Sequence, residues 1–102
     1  MTEKELRQSL VRAAREFGWR VYFTWSSMHS PAGFPDLCMV RGDRLLFAEL
    51  KTDKGKVTPE QQAWQDALTA SGRAEVYLWR PSDLDDAYKV LLMELGRTNE
   101  TS

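Results

Sequence analysis

Cysteine occurs once in the 102 residues, at position 38, and histidine once, at position 29. A lone cysteine excludes an intrachain disulfide and a cysteine-built structural zinc site, and it suits a reducing compartment. No apolar run nears membrane-spanning length. The opening Met1-Thr2-Glu3-Lys4-Glu5 is no signal peptide, so the cytoplasm is the expected location. The six glycines are scattered, which leaves no phosphate-cradling loop. Repeats and low-complexity stretches are absent. Neither sign of charge dominates: the net charge is −1, which excludes a globally basic nucleic-acid coat.

What is present is ordinary globular material, 42% hydrophobic and 28% charged, enough for one domain. Residues 1–96 read as that domain and residues 97–102 as a flexible tail. The charge is uneven. Residues 1–56 hold ten Lys and Arg against seven Asp and Glu, whereas residues 57–102 hold four against eight. The excess in the first half allows a basic face for a polyanion; solvated surface charge is the plainer reading.

Thr2 caps an expected helix to about Phe17, with Leu6, Leu10, Ala13, Ala14 and Phe17 inward and Gly18 as its stop. Trp19–Trp25, Phe34–Val40 and Leu45–Lys51 read as strands, with Pro35 tolerated only near a strand start or edge. Thr58-Pro59 opens a second helix with Trp64, Ala67 and Leu68 inward. Ala74–Arg80 is a fourth strand. Pro81-Ser82 opens a last helix with Leu84, Ala87, Tyr88, Leu91, Leu92 and Leu95 on its apolar face and Gly96 as its stop. The order α-β-β-β-α-β-α predicts an α/β fold: a mixed four-stranded sheet flanked by helices.

The hairpin over residues 34–51 carries the chemistry. A two-residue Gly42-Asp43 turn of type II′ sets Arg41 opposite Arg44, Val40 opposite Leu45, Cys38 opposite Phe47 and Asp36 opposite Glu49. These pairs are expected on one side of the sheet, with Leu37, Met39, Leu46, Ala48 and Leu50 on the other, as core. Asp36 and Glu49 then stand roughly 4.5–5.5 Å apart at Cβ, a destabilising juxtaposition unless something compensates. Lys51, on the same face as Glu49, supplies one positive charge. A divalent cation would supply two, and two carboxylates with open water positions suit phosphodiester hydrolysis. The plainer alternative is an Asp36–Lys51 ion pair with Glu49 solvated.

Two further residues admit two readings each. Glu3 sits on the inward stripe of the first helix and Glu5 faces solvent. Glu3 is therefore either a partner of the helix dipole or a third carboxylate aimed at the sheet. Gln61, three before Trp64, edges an inward stripe, yet Thr58-Pro59-Glu60-Gln61 also fits a capping box. His29 reads as a loop residue: Ser27 and Ser30 beside it promise no triad geometry. Cys38 reads as a small hydrophobe. The four tryptophans read as core or interface, and Lys54 and Lys56 as loop residues open to phosphate or to solvent.

Gly33-Phe34-Pro35-Asp36, Glu49-Leu50-Lys51 and Gln61 three before Trp64 together resemble the virus-type replication-repair nuclease (VRR-NUC) family of the PD-(D/E)XK nuclease superfamily. The resemblance runs from Glu3 to Arg80 and shows no departure at these residues. It implies an αβββαβ restriction-endonuclease-like core, here with one C-terminal helix added. It implies that Asp36, Glu49 and the Leu50 main-chain carbonyl bind Mg²⁺ or Mn²⁺, with Glu3 near the metal, that Lys51 is catalytic, and that Gln61 belongs to the active site. It further implies hydrolysis of DNA to a 3′-hydroxyl and 5′-phosphate, a homodimer like several Holliday-junction resolvases, and a phage or bacterial source. Trp19, Trp25 and Trp79 are the expected dimer contacts. A non-catalytic nucleic-acid-binding module on the same fold is the alternative.

Overall fold

The computed structural model describes residues 1–24 and 31–93. Helix α1 (Glu3–Glu16) is followed by strands β1 (Arg20–Phe23), β2 (Leu37–Arg41) and β3 (Arg44–Leu50). Helix α2 (Pro59–Ala70), strand β4 (Glu75–Trp79) and helix α3 (Leu84–Leu92) complete the order, with one 3-10 turn (Pro81–Asp83) leading into α3. The sheet runs β1-β2-β3-β4. Its first three strands are antiparallel, and β4 lies parallel to β3 because α2 carries the chain back across the sheet. The fold is the mixed α/β sandwich that the order of elements predicts.

Local chemistry sets the boundaries. At α1, the Thr2 side chain accepts from the Glu5 N–H and Glu5 accepts from the Thr2 N–H, at 3.1 and 2.8 Å. This closes a capping box that satisfies two amides which the helix itself leaves unpaired. The buried stripe is Leu6, Leu10, Val11 and Ala14, with Val11 taking the fully inward place expected for Ala13. Strand β2 starts at Leu37, later than expected, because Pro35 has no N–H to give and Gly33 turns at a φ of 92°. In the hairpin turn Gly42 has a φ of 61°, and no non-glycine among the described residues has a positive φ, as a type II′ turn requires.

The hairpin register is the predicted one: Arg41 pairs Arg44, Val40 pairs Leu45, Cys38 pairs Phe47 and Leu37 pairs Ala48. Leu37, Met39, Leu46 and Ala48 are fully buried and join Leu6, Leu10 and Ala14 of α1 and Ala87 and Leu91 of α3 in one core. Each such leucine contributes about 1.5–3 kcal/mol by leaving water.

Three expectations need correction. First, Arg41 and Arg44 lie on the core side. Alternation groups them with Met39 and Leu46, where their guanidinium groups stack over the Trp19 ring at 4.9 and 4.8 Å. Second, Trp19 and Trp79 are 3% and 4% exposed, so both are core residues and neither supplies a dimer contact. Third, α2 buries no residue completely: Trp64 and Leu68 are half-buried and Ala67 is exposed. It leans on the second face of the sheet through Phe34, whose ring meets Trp64 at 4.9 Å and Phe47 at 5.8 Å, both edge to face. The expectations for Trp25, Ser27, His29, Ser30, Leu95, Gly96 and the 97–102 tail fall outside the described residues.

Candidate active site

The open end of the β2–β3 hairpin gathers the charged residues singled out in the sequence. Asp36 lies one step before β2, and its carbonyl accepts from the Thr24 N–H at 3.2 Å, prolonging the β1–β2 pairing. One step beyond Leu37 and Ala48, the same register sets Asp36 opposite Glu49. Asp36 Oδ2 accepts from the Leu50 N–H at 2.9 Å. That bond draws the Asp36 carboxylate onto the β3 backbone and toward its neighbour.

Glu49 is only 3% exposed. Burial above all, then the charge of Asp36, push the Glu49 carboxyl up to about 8. Lys51 pulls it down, and Glu3 adds a further push upward. So three side chains, from α1, the 34–36 loop and the residue just past β3, act on the charge of Glu49 in β3. Glu3 stands in the first turn of α1 and is exposed, and its charge nevertheless reaches Glu49. Its place in the first turn is that of a helix-dipole partner, and it is exposed rather than turned fully inward. Glu5 faces away, as expected, and its carboxyl is held low by its hydrogen bonds to Thr2.

Gln61 reconciles its two readings in one side chain. Its Oε1 accepts from the Thr58 N–H at 2.9 Å, completing the capping box of α2, while its Nε2 donates to Glu49 Oε2 at 2.9 Å. An amide offers both an acceptor and donors, so capping the helix also orients the carboxylate. The position of that helix turn depends on Gly33. A Cβ there would lie 2.5 Å from the Glu60 carbonyl carbon and 2.8 Å from the Gln61 nitrogen. The bare glycine lets the 33–36 loop and the first turn of α2 touch backbone to backbone. This contact is the structural reason for glycine at position 33, which spacing alone does not reveal.

The second Glu49 oxygen, Oε1, is buried and without a hydrogen-bond partner among the described residues. An unanswered carboxylate oxygen beside a second carboxylate is the chemistry of a cation ligand. Among the described residues no three His, Cys, Asp or Glu side chains close into a metal cage. The available donors are therefore the two carboxylates and main-chain oxygen. That set fits Mg²⁺ or Mn²⁺, since Mg²⁺ keeps several waters and is held by one or two carboxylates.

Residues outside this group are structural or peripheral. Cys38 is half-buried beside Phe47, and burial pushes its thiol up, away from reactivity. Arg80 was not singled out by sequence, yet its Nη1 donates to the carbonyls of Thr52 and Gly55, each at 2.7 Å. This holds the 52–57 loop, with exposed Lys54 and Lys56, just beyond Lys51. The signal for it was weak: a single arginine at the end of a strand.

No helix among the described residues is long and apolar enough to cross a membrane. No curated protein matches the chain. Two solved structures, each a VRR-NUC domain protein, superpose with TM-scores of 0.66 and 0.69 at 20% and 18% identity. The alignments cover 89% and 87% of this chain and 85% and 97% of theirs. The Holliday junction resolvase Hjc of Archaeoglobus fulgidus superposes with a TM-score of 0.54 at 22% identity, over 76% of this chain and 67% of that one. The family model of the VRR-NUC domain matches residues 1–80, which takes in Glu3, Asp36, Glu49, Lys51 and Gln61, and the chain belongs to that family.

Proposed function

We propose that the protein is a Mg²⁺- or Mn²⁺-dependent endodeoxyribonuclease that acts on branched DNA such as four-way junctions. Membership of the VRR-NUC family supports a nuclease. The observation that carries the metal-dependent reading is the buried Asp36–Glu49 pair, with Glu49 Oε1 unanswered and its carboxyl pushed up to about 8. Asp36, Glu49 and the Leu50 carbonyl would hold the ion, and Glu3 would add negative charge to the site. When bound, the ion supplies positive charge to the scissile phosphate and acidifies an attacking water.

The remaining work falls to the chain itself. Gln61 fixes the Glu49 carboxylate through its Nε2, and the Leu50 N–H fixes Asp36. Lys51 stands two residues after Glu49 on the same face, where its ammonium orients the attacking water and balances charge developing on the phosphate. In-line attack on phosphorus leaves a 5′-phosphate and a 3′-hydroxyl. A non-catalytic binder would do better with lysines where Asp36 and Glu49 stand, because paired carboxylates repel a phosphate.

The unit acting on a junction is a homodimer, since two copies related by a two-fold axis match the approximate symmetry of four arms. The contact falls on residues other than Trp19 and Trp79. Tyr22 and Val40, 65% and 41% exposed, share the second face of the sheet and are among the exposed apolar side chains open to a second copy. The reaction belongs in the cytoplasm of a bacterium, encoded by the host or by a phage.

Calorimetry with Mg²⁺ and Mn²⁺, beside cleavage of junction, flap and linear duplex DNA, tests the reading. Metal binding weakened by Asp36→Asn together with cleavage of branched DNA is expected. Absence of both metal binding and cleavage would return the protein to the binding-module class, and light scattering decides the dimer.

A further inference from the structure

Helix α1 presents two very different flanks. Toward α3 lies a hollow lined by Glu5, Arg12, Glu16 and Tyr88. Toward β1 lies a shallow groove of about 800 Å³, floored by Val11 and Phe23 and edged by Lys4, Arg7, Arg12 and Arg15, with Glu16 as its one acid. Among the described residues the single salt bridge is Arg44–Glu75, so none of these four cations is neutralised by an acid. Lys4 and Arg7 also stand in the first two turns, the end of a helix where the dipole disfavours positive charge. The arrangement therefore works slightly against helix stability. Arg7 is held in place all the same, its guanidinium 5.2 Å from the centre of the Phe23 ring.

The groove begins at the catalytic end. Arg7 lies over Phe23, which pairs with Leu37, the neighbour of Asp36, and from Lys4 to Arg15 the helix rises about 16 Å. That is roughly the length of five nucleotide steps along one strand of duplex DNA. Arginine forks match phosphate oxygens, and a guanidinium lying on an aromatic ring loses little freedom in binding them.

We propose that this flank of α1 is the track for the DNA backbone leaving the active site, with Lys4, Arg7 and Arg15 on phosphates spread over about five nucleotide steps. The proposal rests on the nuclease reading and adds to it a substrate path and a footprint on one side of the cut. These cations act on binding. They lie along the helix and away from the carboxylate pair, so their loss raises KM and spares kcat.

The test compares Lys4→Gln/Arg15→Gln with Arg73→Gln/Lys89→Gln, an equal charge change at exposed positions away from the groove. Binding is read by anisotropy on a labelled four-way junction and a labelled duplex. The Lys51→Ala background keeps the DNA intact, and steady-state cleavage in Mg²⁺ uses the otherwise native protein. The groove pair should weaken binding about tenfold and lower the slope of log K against log salt by about 2, roughly one for each phosphate no longer neutralised. The control pair should change binding less than about twofold, as expected for long-range steering alone. Equal weakening by the two pairs, or a fall in kcat at unchanged KM, overturns the track. If wild-type protein cuts DNA and the groove pair matches it, the track alone falls; if wild-type protein neither binds nor cuts DNA, the nuclease reading falls and the track with it.

Discussion

The β2–β3 hairpin buries charge at both ends and treats it in opposite ways. At the turn end, Arg44 meets Glu75 through two hydrogen bonds of 2.7 Å each, and Tyr77 donates a third at 2.9 Å. Burial pushes the Glu75 carboxyl up, but those bonds outweigh it and leave the group below its ordinary value. Arg41 and Arg44 also reach the Met93 carbonyl, and Arg41 and the Trp19 indole donate to the Leu91 carbonyl at 2.7 and 2.8 Å, so the end of α3 is closed by side-chain donors. At the open end, burial also pushes Glu49 up, the charge of Asp36 pushes the same way, and Gln61 answers only one of its two oxygens. One end answers its buried charge in full and the other only in part. The answered end holds the fold, whereas the open end, with one carboxylate oxygen unpartnered, has the chemistry that suits a cation.

The sharpest way to break this contrast is to remove the unanswered charges. Asp36→Asn, Glu49→Gln and Lys51→Ala should each lower cleavage at least about a thousandfold, the scale of losing a pre-organised charge-stabilising group. The two carboxylate variants should melt no lower than wild type in EDTA, and higher if repulsion dominates. Cleavage assays beside melting curves check both halves. Wild-type cleavage in any of the three would remove that residue from the site.

At the answered end the pattern should invert. Arg44→Met keeps a stem over Trp19 but leaves Glu75 without its guanidinium. Breaking a buried pair from one side costs about 3–5 kcal/mol, and the partial exposure of Glu75 places this one near the lower bound. Urea unfolding measures it, and cleavage per folded molecule should stay near wild type. A stable Arg44→Met protein with lost activity would mean that the two ends are coupled.

Between these ends, Gly33 tests whether the site depends on how closely α2 approaches. Gly33 and Gly72 both have positive φ, 92° and 67°, so alanine strains the backbone at each. Only at Gly33 does the new Cβ meet backbone, and at Gly72 nothing lies within 4 Å. Gly72→Ala should cost about 1 kcal/mol with full activity. Gly33→Ala should cost more and lower cleavage about tenfold or more by displacing Gln61 from Glu49. Its loss should not add to that of Gln61→Ala in the double variant, because both break one contact.

The pH dependence of stability separates the ends more gently. In the unfolded chain Glu49 titrates at its ordinary 4.5, and in the fold it keeps its proton to about 8. The folded state thus holds the extra proton between these values, and its contribution is complete below 4.5 and lost as pH rises through about 8. Without metal, the melting temperature should fall across that window. Glu49→Gln should flatten this part of the profile, and Mg²⁺ should raise the alkaline end. An unchanged slope in Glu49→Gln would assign the effect to another group.

Much of this was legible from pattern. Alternation and a Gly42-Asp43 turn give the register that sets Asp36 opposite Glu49, since a two-residue hairpin leaves no freedom to slip. Helical phase distinguishes Glu3 from Glu5. The misses share a cause: they depend on partners distant in sequence. Burial of Trp19 depends on Arg41, Arg44 and Leu91 closing over one end of the sheet, which composition cannot show. The double duty of Gln61 depends on how closely α2 approaches β3, and that is set by the absence of a side chain at Gly33.

The smallest effect is the finest test of the active end, because it compares two acids two residues apart. Glu5 closes the α1 capping box and Glu3 does not. Glu5→Gln should therefore change stability little, since glutamine can still reach back to the Thr2 amide. Metal affinity should be unaffected. Glu3→Gln should leave the cap intact and remove a charge felt by Glu49, so affinity for Mg²⁺ should fall several-fold and cleavage at low Mg²⁺ should fall with it. Excess metal should restore most of that loss, because Glu3 adds charge to a site whose principal oxygens belong to Asp36 and Glu49. Metal titration of the two variants side by side reads the difference. Equal effects would mean that α1 does not present Glu3 to the carboxylate pair. A loss at Glu3 that saturating Mg²⁺ fails to restore would place Glu3 in the chemical step.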